Sequence, residues 1–161
     1  MSVIGEQFIS YQLTGREPKR MGNEDLNFYP HGIYPCKGQD SWIAISIESD
    51  DEWGKLCTSM ELKDFLNDTK YLTVITRRAH SPTIDEAIKS WTSKRTRNDA
   101  MHQLQNDGVR AGAVSKASDL LEDPQLKSRK YIDQFDHPDA GPSSNPGLPF
   151  KFSTIDSVEG T

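Results

Sequence analysis

Cysteine, long apolar runs and blocks of like charge are all scarce in this chain, and each scarcity excludes something. Cys36 and Cys57 lie far apart, with no Cys-x-x-Cys pair and no histidine at ligand spacing. That argues against a disulfide framework and against a metal site, and predicts two ordinary thiols in a reducing compartment, the cytoplasm. No apolar run approaches the ~20 residues that cross a bilayer, and the N-terminus lacks a basic-then-apolar signal pattern, so no membrane partner is expected. The net charge of −5 is scattered along the sequence. A dominant grip on nucleic-acid phosphates or on an anionic membrane surface is therefore not expected either. Large aliphatic residues are few as well: Leu, Ile, Val and Phe number 33 of 161, near the level below which chains stay disordered. A chain of single-domain length with this composition should have one modest core and loose ends.

What is present is well punctuated. Ile4, Phe8, Ile9 and Leu13 have near-helical spacing ahead of Gly15, predicting a short amphipathic helix over 3–14. Residues 16–30 carry no periodicity and read as an extended linker. Gly32 to Lys37 and Ser41 to Glu48 form a hairpin signal around Gly38-Gln39-Asp40, with Trp42, Ala44 and Ser46 alternating against Ile43, Ile45 and Ile47. Ser49 followed by Asp50, Asp51 and Glu52 predicts a capped helix burying Trp53, Leu56 and Met60. Short helices are expected over 61–67 and 70–80. A firmer one opens at Ser81-Pro82-Thr83 with Ile84, Ala87, Ile88 and Trp91 on one face, and another runs from Arg97 to Asn106 and stops at Gly108. Val109 to Val114 reads as a strand, Ala117 to Glu122 as a helix, Gln125 to Lys130 as a helix started by Asp123-Pro124, and Tyr131 to Phe135 as a strand. Beyond His137, Pro138, Pro142, Pro146 and Pro149 with Gly141, Ser143, Ser144 and Gly147 predict a loop-like tail, with Phe150 to Ile155 the one late strand candidate.

The expected fold is α+β: a small antiparallel sheet with several short helices packed on one face and a flexible Pro/Gly-rich C-terminal tail. The expected divisions are 1–15 (N-terminal helix), 16–30 (linker), 31–136 (domain core) and 137–161 (tail).

Several local patterns recur in a characteristic order: Arg20-Met21-Gly22-Asn23, Pro30-His31-Gly32-Ile33-Tyr34-Pro35-Cys36, Trp42-Ile43-Ala44-Ile45, Glu52-Trp53, Gln103 to Val114, and Leu120 to Leu126. Together they resemble the small, C-terminal domain of the class III CoA-transferases, the CaiB/BaiF family. The resemblance implies an enzyme that moves coenzyme A between carboxylic acids. An aspartate attacks an acyl-CoA thioester, a mixed anhydride forms, and CoA thiolate opens it. That aspartate belongs to a large domain outside the matched region, so no catalytic residue is expected in this chain, and acyl-CoA would be the substrate of the parent enzyme. The partner implied is the large domain, in cis or in trans. The parent would be an interlocked homodimer and the isolated chain a monomer. An α-methylacyl-CoA racemase-like parent, and a freestanding module pairing with a separate large subunit, are the alternatives.

In the family the connection ahead of the first small-domain strand approaches the reacting acyl group. Here that stretch would make a substrate-lining wall of Gly22, Asn23, Tyr29, Pro30, His31 and Gly32, with no glycine run between the two glycines. A stiffer, bulkier wall would favour a larger or differently shaped acid. His31 could donate to an acyl oxygen, or could be a turn residue that bonds its own backbone. Trp42, Trp53 and Trp91 are expected in the core, and both thiols in packed positions. Arg77, Arg78, Lys94, Arg95 and Arg97 read as a solvated helix face in preference to a CoA-phosphate site. Asp50-Asp51-Glu52 and Glu122-Asp123 read as helix caps.

Overall fold

The computed structural model describes residues 5–17 and 20–150, which fall into two compact units meeting between Val114 and Ser115. In the first unit the hairpin forms where alternation predicts it. Strand β1 (His31–Pro35) pairs antiparallel with β2 (Trp42–Ser46), and β3 (Arg110–Ala113) adds antiparallel on the other side of β2. Because side chains alternate across a strand, Ile43 and Ile45, followed by Ile47, all go to one face and are buried. Helices α2 (Asp50–Ser59), α5 (Ser81–Thr92) and α6 (Arg97–Asn106) bring Trp53, Leu56, Cys57, Ile84, Ile88, Trp91, Ala100 and Leu104 into the same core. Among the described residues, every buried side chain lies between Tyr29 and Val109.

The helix starts follow their caps. Ser49 accepts from the Glu52 amide, Thr96 from that of Asp99, and Thr73 exchanges bonds with Thr76. That reciprocal cap lets the β-branched Val74-Ile75-Thr76 run begin a helix, α4 (Val74–Ala79), preceded by the short α3 (Lys63–Leu66) and a 3-10 turn at Thr69–Tyr71. Helix α6 ends at Gly108, whose φ of +78° is one that residues with a Cβ rarely adopt. Helix α1 (Gly5–Thr14) also ends at a left-handed glycine, Gly15. None of its described residues is buried, and Val3 and Ile4 of the expected helix lie outside the described residues.

Two expectations about this unit change. Trp42 is not a core residue: it is 39 % exposed and its indole N–H donates to Asp40 Oδ1 at 2.9 Å. It shares its face with Ala44 and Ser46, and the isoleucine face is the one the helices cover. Arg77 is not on a solvated face. Its side chain is 2 % exposed. Nε donates to Tyr29 O (3.1 Å), Nη1 to Tyr71 O (3.2 Å) and Leu72 O (3.1 Å), and Nη2 lies 2.8 Å from Asp50 Oδ1. The guanidinium also sits over the Trp53 ring, 5.3 Å from its centroid.

The second unit holds α7 (Ala117–Glu122), α8 (Pro124–Ser128) and a hairpin of β4 (Ile132–His137) with β5 (Gly141–Pro146). Asp123 caps α8 by accepting from the Leu126 amide. Strand β5 corrects the loop-like expectation for this stretch: pairing along β4 supplies the order that Gly-Pro-Ser-Ser-Asn-Pro lacks by propensity. The strand candidate at 150–155 lies outside the described residues beyond Phe150. No described residue of this unit is buried.

The buried guanidinium makes a sharp prediction. Arg77→Met leaves three peptide carbonyls without their donor and should cost about 3 kcal/mol of unfolding free energy. Asp50→Asn should cost less than about 1 kcal/mol, because Asp50 is 66 % exposed and solvent screens its pairing. Urea denaturation of the two variants side by side checks this, and equal losses would contradict it.

Candidate functional site

The linker that precedes β1 is held from α4. Arg78 Nη2 donates to Asp25 O (2.7 Å) and Phe28 O (3.2 Å), and its neighbour Arg77 takes Tyr29 O. The Asp25 carboxylate accepts from the amides of Asn27 and Phe28, closing a tight turn. Pro30 is fully buried, and its carbonyl accepts from the Ile47 amide at 2.8 Å, prolonging the β1–β2 ladder. These contacts fix the segment that carries the expected wall.

Two hollows adjoin that segment. One, of about 850 Å³, lies against the open face of the sheet; Gly22, Asn23, His31, Gly32, Ala44, Ser46, Arg110 and Gly112 are among its lining residues. The other, of about 650 Å³, lies between the linker, β1 and α5, and is lined among others by Asn23, Tyr29, His31, Gly32, Tyr34, Arg78 and Asp85. Asn23, His31 and Gly32 border both. The structure thus brings five of the six expected wall residues to these hollows, and Pro30 lines neither. Gly22 has a φ of +61° with open space around it, so its backbone conformation is what requires glycine. A Cβ on Gly32 would sit in ordinary contact, 3.6 Å from the Tyr34 ring.

Sequence reading missed the polar groups that face these residues. His31 Nδ1 lies 3.0 Å from Ser46 Oγ, its direct cross-strand partner in the register. Tyr29 Oη donates to Asp85 Oδ1 (2.9 Å), with Ser81 O at 3.1 Å, and Tyr34 Oη donates to the same Asp85 oxygen at 2.8 Å. Burial, reinforced by the Asp85 carboxylate, pushes both phenols well above the ordinary tyrosine range. Arg110 pairs with Glu48, and its Nε lies 3.3 Å from Glu52 Oε1. Strand parity could have placed Ser46 beside His31 once the hairpin register was known. Nothing local marks Asp85, which meets Tyr29 and Tyr34 across more than fifty residues of sequence.

The remaining candidates sit elsewhere. Burial raises both thiols, Cys57 to about 12. Asp50 to Glu52 occupy the first turn of α2, and Asp123 caps α8. Arg95 stacks on Trp91, 3.9 Å from its centroid. Among the described residues no group of three or more His, Cys, Asp or Glu could hold a metal ion, and no helix is long and apolar enough to cross a membrane.

The phenols give a pH prediction whose sign is fixed. Their folded pKa values exceed the unfolded value of about 10, so their contribution is complete below that pH. As pH rises past about 10 the unfolded phenols ionise first, and stability should fall by about 1.4 kcal/mol per pH unit for each phenol. Tyr34→Phe should remove about half of that slope, read from urea denaturation between pH 9 and 11; an unchanged slope would refute the assignment.

Comparison with known proteins extends the reading beyond geometry. A family model described as CoA-transferase family III matches residues 1–159. A probable CoA-transferase of Mycobacterium tuberculosis is 40% identical over 108 residues, which is 67% of this chain and 14% of that protein. The succinyl-CoA–D-citramalate CoA-transferase of Chloroflexus aurantiacus is 31% identical over 141 residues, 88% of this chain and 35% of the relative. The crystal structure of a CaiB/BaiF family protein from Brucella suis superposes with a TM-score of 0.79 at 28% identity, covering 96% of this chain and 39% of that one. This chain therefore spans well under half the length of these proteins. A match along nearly its whole length, on a fold shared with a solved member, places the chain in CoA-transferase family III.

Proposed function

We propose that this chain is the small domain of an acyl-CoA:carboxylate CoA-transferase and forms a wall of the acyl-transfer chamber, the reacting carboxylate belonging to a large domain that is not part of these residues. The observation that carries this reading is the convergence of Gly22, Asn23, Tyr29, His31 and Gly32 on two adjoining hollows, behind a linker pinned by Arg77 and Arg78. The activities of relatives point to exchange between carboxylic acids: succinyl-CoA with D-citramalate, succinate with glutarate, formyl-CoA with oxalate.

In the reaction the family implies, a carboxylate oxygen attacks the thioester carbon and CoA thiolate leaves, giving a mixed anhydride. The thiolate then attacks the enzyme-side carbonyl of the anhydride, the C–O bond to the first acid breaks and that acid leaves as its carboxylate, giving an enzyme-bound thioester on which a second carboxylate reverses the sequence. Negative charge develops on acyl oxygens at each step, so a wall that excludes water and offers hydrogen-bond donors lowers the barrier. Asn23 and His31 are the donors at the junction of the hollows. Asp85, which borders the second hollow, is engaged by two phenols, which stabilise it as an acceptor and blunt it as a nucleophile. With Tyr29 and His31 where a glycine run would leave space, the chamber suits an acid bulkier than formate or oxalate.

The 161-residue chain alone should show no CoA exchange between succinyl-CoA and carboxylic acids. Supplying the large domain, in cis or in trans, should restore it, and His31→Ala there should lower kcat/KM about tenfold with the fold intact by circular dichroism. Exchange by the chain alone, abolished by Asp85→Asn, would overturn the proposal.

A further inference from the structure

The structure assigns a positioning role to Ser46: its hydroxyl donates to His31 Nδ1, so that the neutral imidazole carries its proton on Nε2 and offers it as a hydrogen-bond donor to an acyl or carboxylate oxygen. This inference deepens the wall reading and rests on it.

Opposite positions on an antiparallel pair share one face of the sheet. The register sets His31 against Ser46, and Nδ1 and Oγ stand 3.0 Å apart beside the hollow on the open face. A neutral imidazole has one N–H and one lone pair, so two arrangements are available. With the proton on Nδ1, Ser46 Oγ would accept it, and the hydroxyl proton would need another acceptor; among the described residues Oγ has no other partner. With the hydroxyl donating, that proton is satisfied, the Nδ1 lone pair is used, and the ring proton goes to Nε2, for which the described residues offer no partner. The two arrangements differ in where the unspent donor lies, and the second puts it on Nε2, where a ligand oxygen can take it.

The charged side chains around the same hollow reinforce the choice. Arg110, the cation there, is already held by Glu48 and Glu52. Glu24 and Glu52 supply acceptors only. Beside the amide of Asn23, the imidazole is thus a neutral donor open to a ligand oxygen, and its ligand must present an acceptor: a thioester carbonyl or a carboxylate.

Long-range proton–nitrogen NMR on the 161-residue chain with labelled histidine, at a pH where the imidazole is neutral, reads the tautomer without any activity. The expected result for His31 is a protonated Nε2 with Nδ1 as a hydrogen-bonded acceptor nitrogen. Ser46→Ala should shift the ring toward a mixture of tautomers, and Ser46→Thr should restore the single one. A proton on Nδ1 in the unsubstituted chain, or a spectrum unmoved by Ser46→Ala, overturns the assignment. In the complete protein, Ser46→Ala should lower kcat about fivefold with little change in KM, and Ser46→Thr should recover it to within about twofold. Loss with Ser46→Ala that Ser46→Thr fails to recover also overturns it. If His31→Ala leaves exchange at full rate, the wall reading fails and this inference with it; if His31→Ala slows exchange and Ser46→Ala does not, the Ser46 role alone is refuted.

Discussion

The guanidinium of Arg77 is the contact on which the rest of the first unit hangs. A cation so fully shut away from water survives only if its donors are all spent, and here they are spent on peptide carbonyls of the linker and of the 3-10 turn, and on the carboxylate at the head of α2. Those are three separate stretches of chain. Trp53 beneath the guanidinium belongs to a string of ring contacts running through Phe65, Tyr71 and His80. One side chain therefore sets where the linker meets the core, and through the linker where Tyr29 and His31 stand.

A three-stranded sheet with helices on one side only has a second consequence. The isoleucines of β2 take the covered face, and residues of opposite parity are delivered to the open one: His31, Ile33 and Pro35 from β1, Trp42, Ala44 and Ser46 from β2, Arg110 and Gly112 from β3. Small residues at Ala44 and Gly112 keep the middle of that face flat, while the pairing of His31 with Ser46 and of Arg110 with Glu48 and Glu52 places the polar groups at one end. The same pleat that buries the core thus sorts the chemistry of the hollow.

How much of this could be read from sequence depended on the range of the interaction concerned. Helix α5 was legible because Ile84, Ile88 and Trp91 recur at helical spacing behind a proline start, and α2 because Ser49 and Glu52 announce its cap. Strand β5 was not, since its proline, serine and asparagine residues have no strand preference and owe their order to β4. Arg77 looked like surface because its neighbours in sequence are polar, and its partners Tyr29 and Asp50 are far from it along the chain. Strand alternation left two faces to choose between at Trp42, and the helices cover the isoleucine face opposite it. Motif order singled out Gly22, Asn23, Tyr29, His31 and Gly32, which border the two hollows, whereas the residues bonded to them or beside them, Ser46, Asp85 and Tyr34, enter through contacts that no local pattern encodes.

The chemistry of the two cysteines is set by where they sit. Cys36 and Cys57 are both packed into the interior, and burial keeps the Cys57 sulfur protonated until about pH 12. A thiol that neither ionises nor meets solvent is a poor target for oxidants or for exchange with another disulfide. These sulfurs behave as small hydrocarbons, so the chain keeps them reduced by seclusion, whatever the redox state of the medium around it.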